Sequence, residues 1–222
     1  MDTNLIDGYV SPLFPNIKKT QVITTYSRQR RMKDFMDLPG TMYLALGKQT
    51  AWKSDSDPDI NDNNPPAPDP AQMFINELIG LQRVQWKMYA KPIINPTTDQ
   101  KNQHITPVYN SGGGITSYTD GYQEYAGVYY YCTSDYDKAI EAGCTCVMVY
   151  AYVCKDDTFP YNITFRQTGL FVNSTQTSLY LSNQQFNNLA EEDRGSLELI
   201  CNWPPHSRNM NGSEQFYILL SF

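Results

Sequence analysis

Apolar residues along the chain recur first at helical spacing and then at a period of two. Val22, Tyr26, Met32, Phe35 and Met36 share a stripe, with Arg28, Arg30, Arg31 and Lys33 between them. The stripe predicts a helix over 20–38, ended by Pro39-Gly40. Met42 to Leu46 is apolar throughout and reads as a short central strand that breaks at Gly47. No periodicity follows until Asp69 and Pro70, a cap and a first-turn residue that predict a helix burying Phe74, Leu78 and Leu81. Val84, Trp86 and Met88 then alternate with Gln85, Lys87 and Tyr89, the period of a half-buried strand. From 91 to 121 the chain is polar, with Pro92, Pro96, Pro107 and Gly112-Gly113-Gly114, which predicts a seam between two halves or a surface loop. The glycines read as a flexible tether rather than a phosphate loop, because no Lys-Ser/Thr follows them.

The second half predicts strands over 127–133, 145–154, 162–172, 195–203 and 214–222, with 145–154 interior because it is apolar on both faces. A short helix over 183–192 has Ser182 as its cap. Closely spaced strands separated by turn residues predict a mainly β chain, a layered antiparallel β-sandwich with a few short helices. The expected sub-domains are 1–120, carrying the α+β elements, and 121–222.

The stretch 39–70 is unusual. A strand feeds Lys48-Gln49-Thr50-Ala51-Trp52 and then a long acidic loop rich in Asn and Pro. Long structureless loops in compact domains are usually functional or linkers. No reaction needs this residue mixture, so it reads as a docking loop pinned at its root by Trp52. The arm to Asn16, with Pro12 and Pro15, reads as extended.

Composition narrows the function. Only 18% of residues are charged, 13% are aromatic, and there are 17 tyrosines. Tyrosine in that number suits contact surfaces, though strand propensity alone also favours it. The net charge of −6 argues against nucleic-acid binding, because an acidic surface repels phosphates. The basic cluster at 28–33 then reads as a solvated helix face or a protein contact. Residues 1–10 have neither the basic start nor the apolar core of a signal peptide, and no apolar run approaches the roughly 20 residues of a membrane span. A cytosolic chain, made without a membrane partner, is the expectation. Cys132, Cys144, Cys146, Cys154 and Cys201 therefore read as buried reduced thiols, with Cys144 and Cys146 on one face of a strand. The Asn-x-Ser/Thr matches at Asn162, Asn173 and Asn211 carry no meaning without secretion.

Candidate chemistry is sparse. Asp156-Asp157 and Glu191-Glu192 are neighbours whose side chains diverge, so they read as solvated surface. The run from Asp55 to Asp62 has oxygen ligands at alternate positions, but Ile60 and Pro66 stand where a calcium loop needs Gly and Glu. With two histidines, His104 and His206, and no nucleophile elbow, the sequence offers no catalytic, metal or cofactor residues, and an enzyme is not expected. Arg166 lies mid-strand opposite the inward Phe165. It reads either as a solvated strand arginine or as an interface anchor forked onto a carboxylate or backbone carbonyls.

Several stretches carry a resemblance. They are the basic helix, the strand Tyr43-Leu44-Ala45-Leu46-Gly47-Lys48, Trp52, and the loop ending Pro65-Pro66-Ala67-Pro68. Farther on come Phe165-Arg166-Gln167-Thr168-Gly169-Leu170 with Asn173, then Trp203-Pro204-Pro205 and the terminal Phe216 to Phe222. In this order and spacing the set resembles the baseplate wedge protein of contractile-tailed bacteriophages, the T-even gene product eight type. The resemblance covers about 20–91 and 144–222; the middle, 92–136, does not carry it. It implies a mostly antiparallel β structural protein without catalysis or cofactors. It further implies a homodimer held by other baseplate wedge subunits in the virion tail, assembled in the host cytoplasm, that rearranges on sheath contraction. Trp52, Pro65, Pro66 and Arg166 are the expected contact or fold-pinning positions. A carbohydrate- or receptor-binding β module on the tail is the alternative, and a hydrolase lacks its site residues.

Overall fold

The structure is a computed structural model that describes residues 24–154, 163–208 and 212–222. In chain order these residues form α1 (Thr25–Met36), β1 (Thr41–Gly47), β2 (Gly80–Ile93), α2 (Thr98–Asn102), β3 (Pro107–Tyr109) and β4 (Ile115–Tyr118). Then come β5 (Gly121–Tyr125), β6 (Val128–Thr133), α3 (Tyr136–Ala142), β7 (Cys146–Val153) and β8 (Ile163–Ser174). Last are β9 (Tyr180–Ser182), α4 (Asn183–Asn187), α5 (Glu191–Arg194), β10 (Ser196–Arg208) and β11 (Glu214–Ser221). The chain is mainly β, layered and antiparallel, with a few short helices.

Two compact units divide it, and each draws residues from both sides of position 120. The larger comprises 37–88 with the described residues of 148–219. Here the antiparallel order is β10, β8, β1, β2, β9. β1 explains the layering, because it is buried on both faces. Tyr43 and Ala45 pack with Leu81, Phe171 and Phe186 on one side. Leu44 and Leu46 pack with Ala151, Val153 and Phe165 on the other. Full burial of each such leucine contributes about 1.5–3 kcal/mol. The sheet is tight where Ile75 crosses it: a Cβ on Gly169 would stand 2.5 Å from the Ile75 Cδ1. Trp86 stacks on Tyr150 at 5.1 Å, and Tyr150 meets Tyr217 at 4.9 Å, which uses tyrosine as core area.

The other unit comprises 24–36, 89–147 and 220–222 among the described residues. Residues 89–93 of β2 pair with β6, which pairs with β5. α1 buries Met32 and Phe35 and sets Phe35 5.9 Å from Phe222. α3 is capped by Asp135 and ended by Gly143. β3 and β4 form a separate two-stranded hairpin.

Several expectations need correction. α1 begins at Thr25 rather than 20, residues 20–23 lie outside the described set, and Tyr26 is 74% exposed instead of joining the buried stripe. No helix follows Asp69-Pro70. The Asp69 carboxylate accepts the Ala71 N–H at 2.8 Å and its carbonyl accepts the Gln72 N–H, so the cap signal closes a turn. Phe74 is 65% exposed, Ile75 is buried in its place, and Leu81 belongs to β2. β2 runs through Pro92 to Ile93, and the glycine triplet is the hairpin turn between β3 and β4 rather than a tether. Cys144 precedes β7 instead of sharing a strand with Cys146. Cys132, Cys144 and Cys146 are buried, but Cys154 and Cys201 are only half-buried. The expectations for the arm to Asn16, Asp156-Asp157, Asn162 and Asn211 lie outside the described residues.

Candidate functional site

The candidate site is the loop between β1 and β2, in the larger unit. After β1 the chain turns through Lys48, whose φ of 58° is left-handed and costly for a residue with a Cβ. Glu77, at φ 45°, faces this corner. Its carboxylate accepts the N–H groups of Gln49 and Thr50, both at 2.8 Å, and the Thr50 hydroxyl at 2.6 Å. It also pairs with Lys48 at 2.9 Å. Burial alone would raise its pKa, but the hydrogen bonds from Thr50 and Lys48 prevail and hold it at about 2. Lys48 Nζ sits 5.5 Å from the centre of the Trp52 ring.

Arg166 closes the corner from β8. Its Nε and Nη2 fork onto Asp62 at 2.7 and 2.9 Å, and Nη1 donates to the Gln49 carbonyl. Asp62 also accepts the Trp52 N–H at 2.9 Å. Hydrogen bonds from Arg166 first and from Trp52 second lower the Asp62 pKa, while the Arg166 pKa rises because of Asp62. Arg166 and Trp52 are each 8% exposed. One carboxylate thus ties together two points of the loop and a strand more than a hundred residues away.

A second junction lies on Gln167, which is fully buried. Its amide oxygen accepts the Asn76 N–H at 2.8 Å and Gln72 Nε2 at 3.3 Å; its nitrogen donates to Asn202 at 2.8 Å. Asn202 in turn donates to the Pro66 carbonyl at 2.9 Å. The Trp52 indole donates to the Trp203 carbonyl, and the Trp203 indole to the Thr168 hydroxyl, both at 2.8 Å. Between these pins the loop folds on itself. Asn61 and Asn64 form a bridge, and Asp57 and Asn61 accept nearby N–H groups. Asp55, Asp57 and Asp59 stay exposed.

The structure brings Trp52, Pro66 and Arg166 into this one network and places Pro65 half-buried beside Pro66. Arg166 matches neither reading whole: it is buried rather than solvated, and it forks onto a carboxylate of its own chain rather than across an interface. Sequence reasoning missed Asp62, Glu77, Gln167 and Asn202. Apart from Trp52, ten residues before Asp62, their partners lie 27 to 136 residues away, so no local pattern marks them. The arrangement can fix an acidic, polar surface on a stiff sheet. Among the described residues, no group of three or more His, Cys, Asp or Glu is arranged to hold a metal ion, and no helix is long and apolar enough to cross a membrane.

Comparison with known proteins adds two findings. Residues 21–222 match the model of a family described as baseplate wedge 3 tail fiber network component. Over 112 residues, 49% of its length, the chain is 30% identical to Virion protein 3 of Enterococcus phage phiEF24C. It spans 55%, about half, of the length of that curated relative.

Proposed function

The chain belongs to the baseplate wedge 3 tail fiber network component family, and from that premise we propose that it works as the T-even gene product eight type does. In this role it is a structural, non-catalytic wedge subunit. It forms a homodimer, is held by other wedge subunits and is built into the tail in the host cytoplasm. It rearranges when the sheath contracts, without nucleic acid or membrane as partner. The observation that carries the mechanism is the loop network: polar surface held by Arg166, Trp52 and Gln167 on a two-faced core. A subunit that must hold neighbours and later release them needs interfaces whose gains and costs nearly cancel, decided by a few fixed anchors. The pinned 48–70 loop supplies such a surface, with Pro65 and Pro66 at its return.

Immunogold electron microscopy of purified contractile tails tests the assignment. Antibody against this chain is expected to label the baseplate end with sixfold arrangement; label confined to fibre tips overturns it. For the residues, Trp52→Ala and Arg166→Ala are expected to lower incorporation into wedge complexes. Full incorporation of both variants rejects these positions as anchors.

A further inference from the structure

The network that pins the 48–70 loop also fixes two large apolar side chains just beyond it, and it holds them outward. Met73 and Phe74 are 78% and 65% exposed. They sit between two attachments to the buried Gln167. On one side, Gln72 Nε2 donates to the Phe74 carbonyl at 2.6 Å and to the Gln167 amide oxygen at 3.3 Å. On the other, Ile75 drops into the core with Tyr43, Leu81 and Phe171, and the Asn76 N–H bonds the same Gln167 oxygen at 2.8 Å. The Asn76 carbonyl accepts the Lys48 N–H at 2.6 Å, which ties this segment to the root of the loop. With Ile75 filling the space over Gly47 and Gly169, the packed core leaves no room for Phe74.

The Gln167 amide nitrogen donates to Asn202, and the residues that follow Asn202 are Trp203, Pro204 and Pro205, all exposed. One buried side chain thus joins two exposed apolar stretches. Apolar area kept in water forgoes the burial that drives folding, and area already pinned loses little further freedom when a partner covers it. Phe and Met are enriched where protein interfaces are driest. The surroundings select the partner. Asp55, Asp57, Asp59 and Asp69 are exposed in the adjoining loop, and Lys53 is the only exposed cation from 48 to 76. Two copies meeting at this knob would bring the aspartates together, and an anionic lipid surface would repel them. A pocket with apolar walls and a rim of lysine or arginine matches both the knob and its border. Resting on the reading of the chain as a wedge subunit, we propose that Met73 and Phe74 are the apolar anchor that inserts into such a pocket on a different wedge subunit.

The test uses tails assembled in infected host cells from the full chain. With p-benzoylphenylalanine in place of Phe74, irradiation is expected to cross-link the chain to a different wedge subunit. The joined peptide, identified by mass spectrometry, should carry apolar residues and at least one Lys or Arg. Cross-linking to a second copy of this chain, to an acidic peptide, or to nothing in tails that contain the chain overturns the proposal. In parallel, Met73→Ser combined with Phe74→Ser changes exposed side chains only, so the denaturation midpoint should stay at the wild-type value. Incorporation into tails should fall at least about tenfold, the loss of an interface hot spot. Incorporation equal to wild type overturns the anchor and leaves the wedge assignment standing. Absence of the wild-type chain from tails refutes the wedge assignment itself, and the anchor with it.

Discussion

Two long polar segments stay ordered by opposite means. The loop between β1 and β2 is held from afar: Glu77, Arg166, Gln167 and Asn202 close it, mostly through single side chains on other strands. The segment from 97 to 119 is held by neighbours. Thr97 and Gln100 form a capping box at α2, and the Thr106 N–H and the Thr119 hydroxyl meet at 3.0 Å. Asn110 accepts the N–H groups of Gly112 and Gly114. Distant pins tie a loop to the core, so its order is lost when one core side chain changes. Local pins isolate a turn from the core, so damage stays where it is made.

Substitutions separate the two kinds. Gln167→Leu should have the largest effect, about 2–4 kcal/mol of unfolding free energy. It strands the Asn76 N–H and the Asn202 side-chain oxygen, both half-buried against the sheet. Denaturant unfolding measures this, and a loss within error of wild type would mean that Gln167 is not a junction.

Acid should come next. A carboxylate whose folded pKa is depressed adds stability that is present above its ordinary value and is lost as pH falls through the folded one. For Glu77 the window runs from about 4.5, near the ordinary range, down to about 2. The 105–119 hairpin contains no carboxylate and should be indifferent. An NMR titration of the Gln49 and Thr50 amides against those of Tyr109 and Ile115 checks this. Equal response in both segments, or a midpoint in the ordinary carboxylate range, contradicts the comparison.

Asn110→Ala should be the mildest, costing less than about 1.5 kcal/mol. It should speed protease cleavage at the glycines while the β1–β2 loop stays protected. Cleavage rising in both segments would show that the two are coupled.

The same contrast governs what the sequence disclosed. β1 was legible because five consecutive apolar residues can only be buried on two faces. The start of α4 was legible in the Ser182 cap, but the single helix expected over 183–192 is two, α4 ending at Asn187 and α5 starting at Glu191. Trp52 stood out as a large ring at the root of a loop, and Arg166 as a cation in an apolar strand. Their partners did not stand out, since nothing near Asp62 or Gln167 in sequence distinguishes them from other polar residues. Asp69-Pro70 misled for a related reason. Asp caps a turn as readily as a helix, and the outcome is decided by contacts outside the segment, where Ile75 packs onto Gly47 and Gly169. The α3 signal was present in Asp135 and Gly143, but the seven residues between bury only Ala139 and show no long apolar stripe.

The turn at Gly112–Gly114 has a practical consequence. Gly113 is left-handed, and a Cβ built there meets nothing within 4 Å. A peptide or fluorophore inserted at this point would displace no packed atom and would leave Arg166, Trp52 and Gln167 untouched. The hairpin is therefore a natural handle by which the subunit can be tracked in an intact tail.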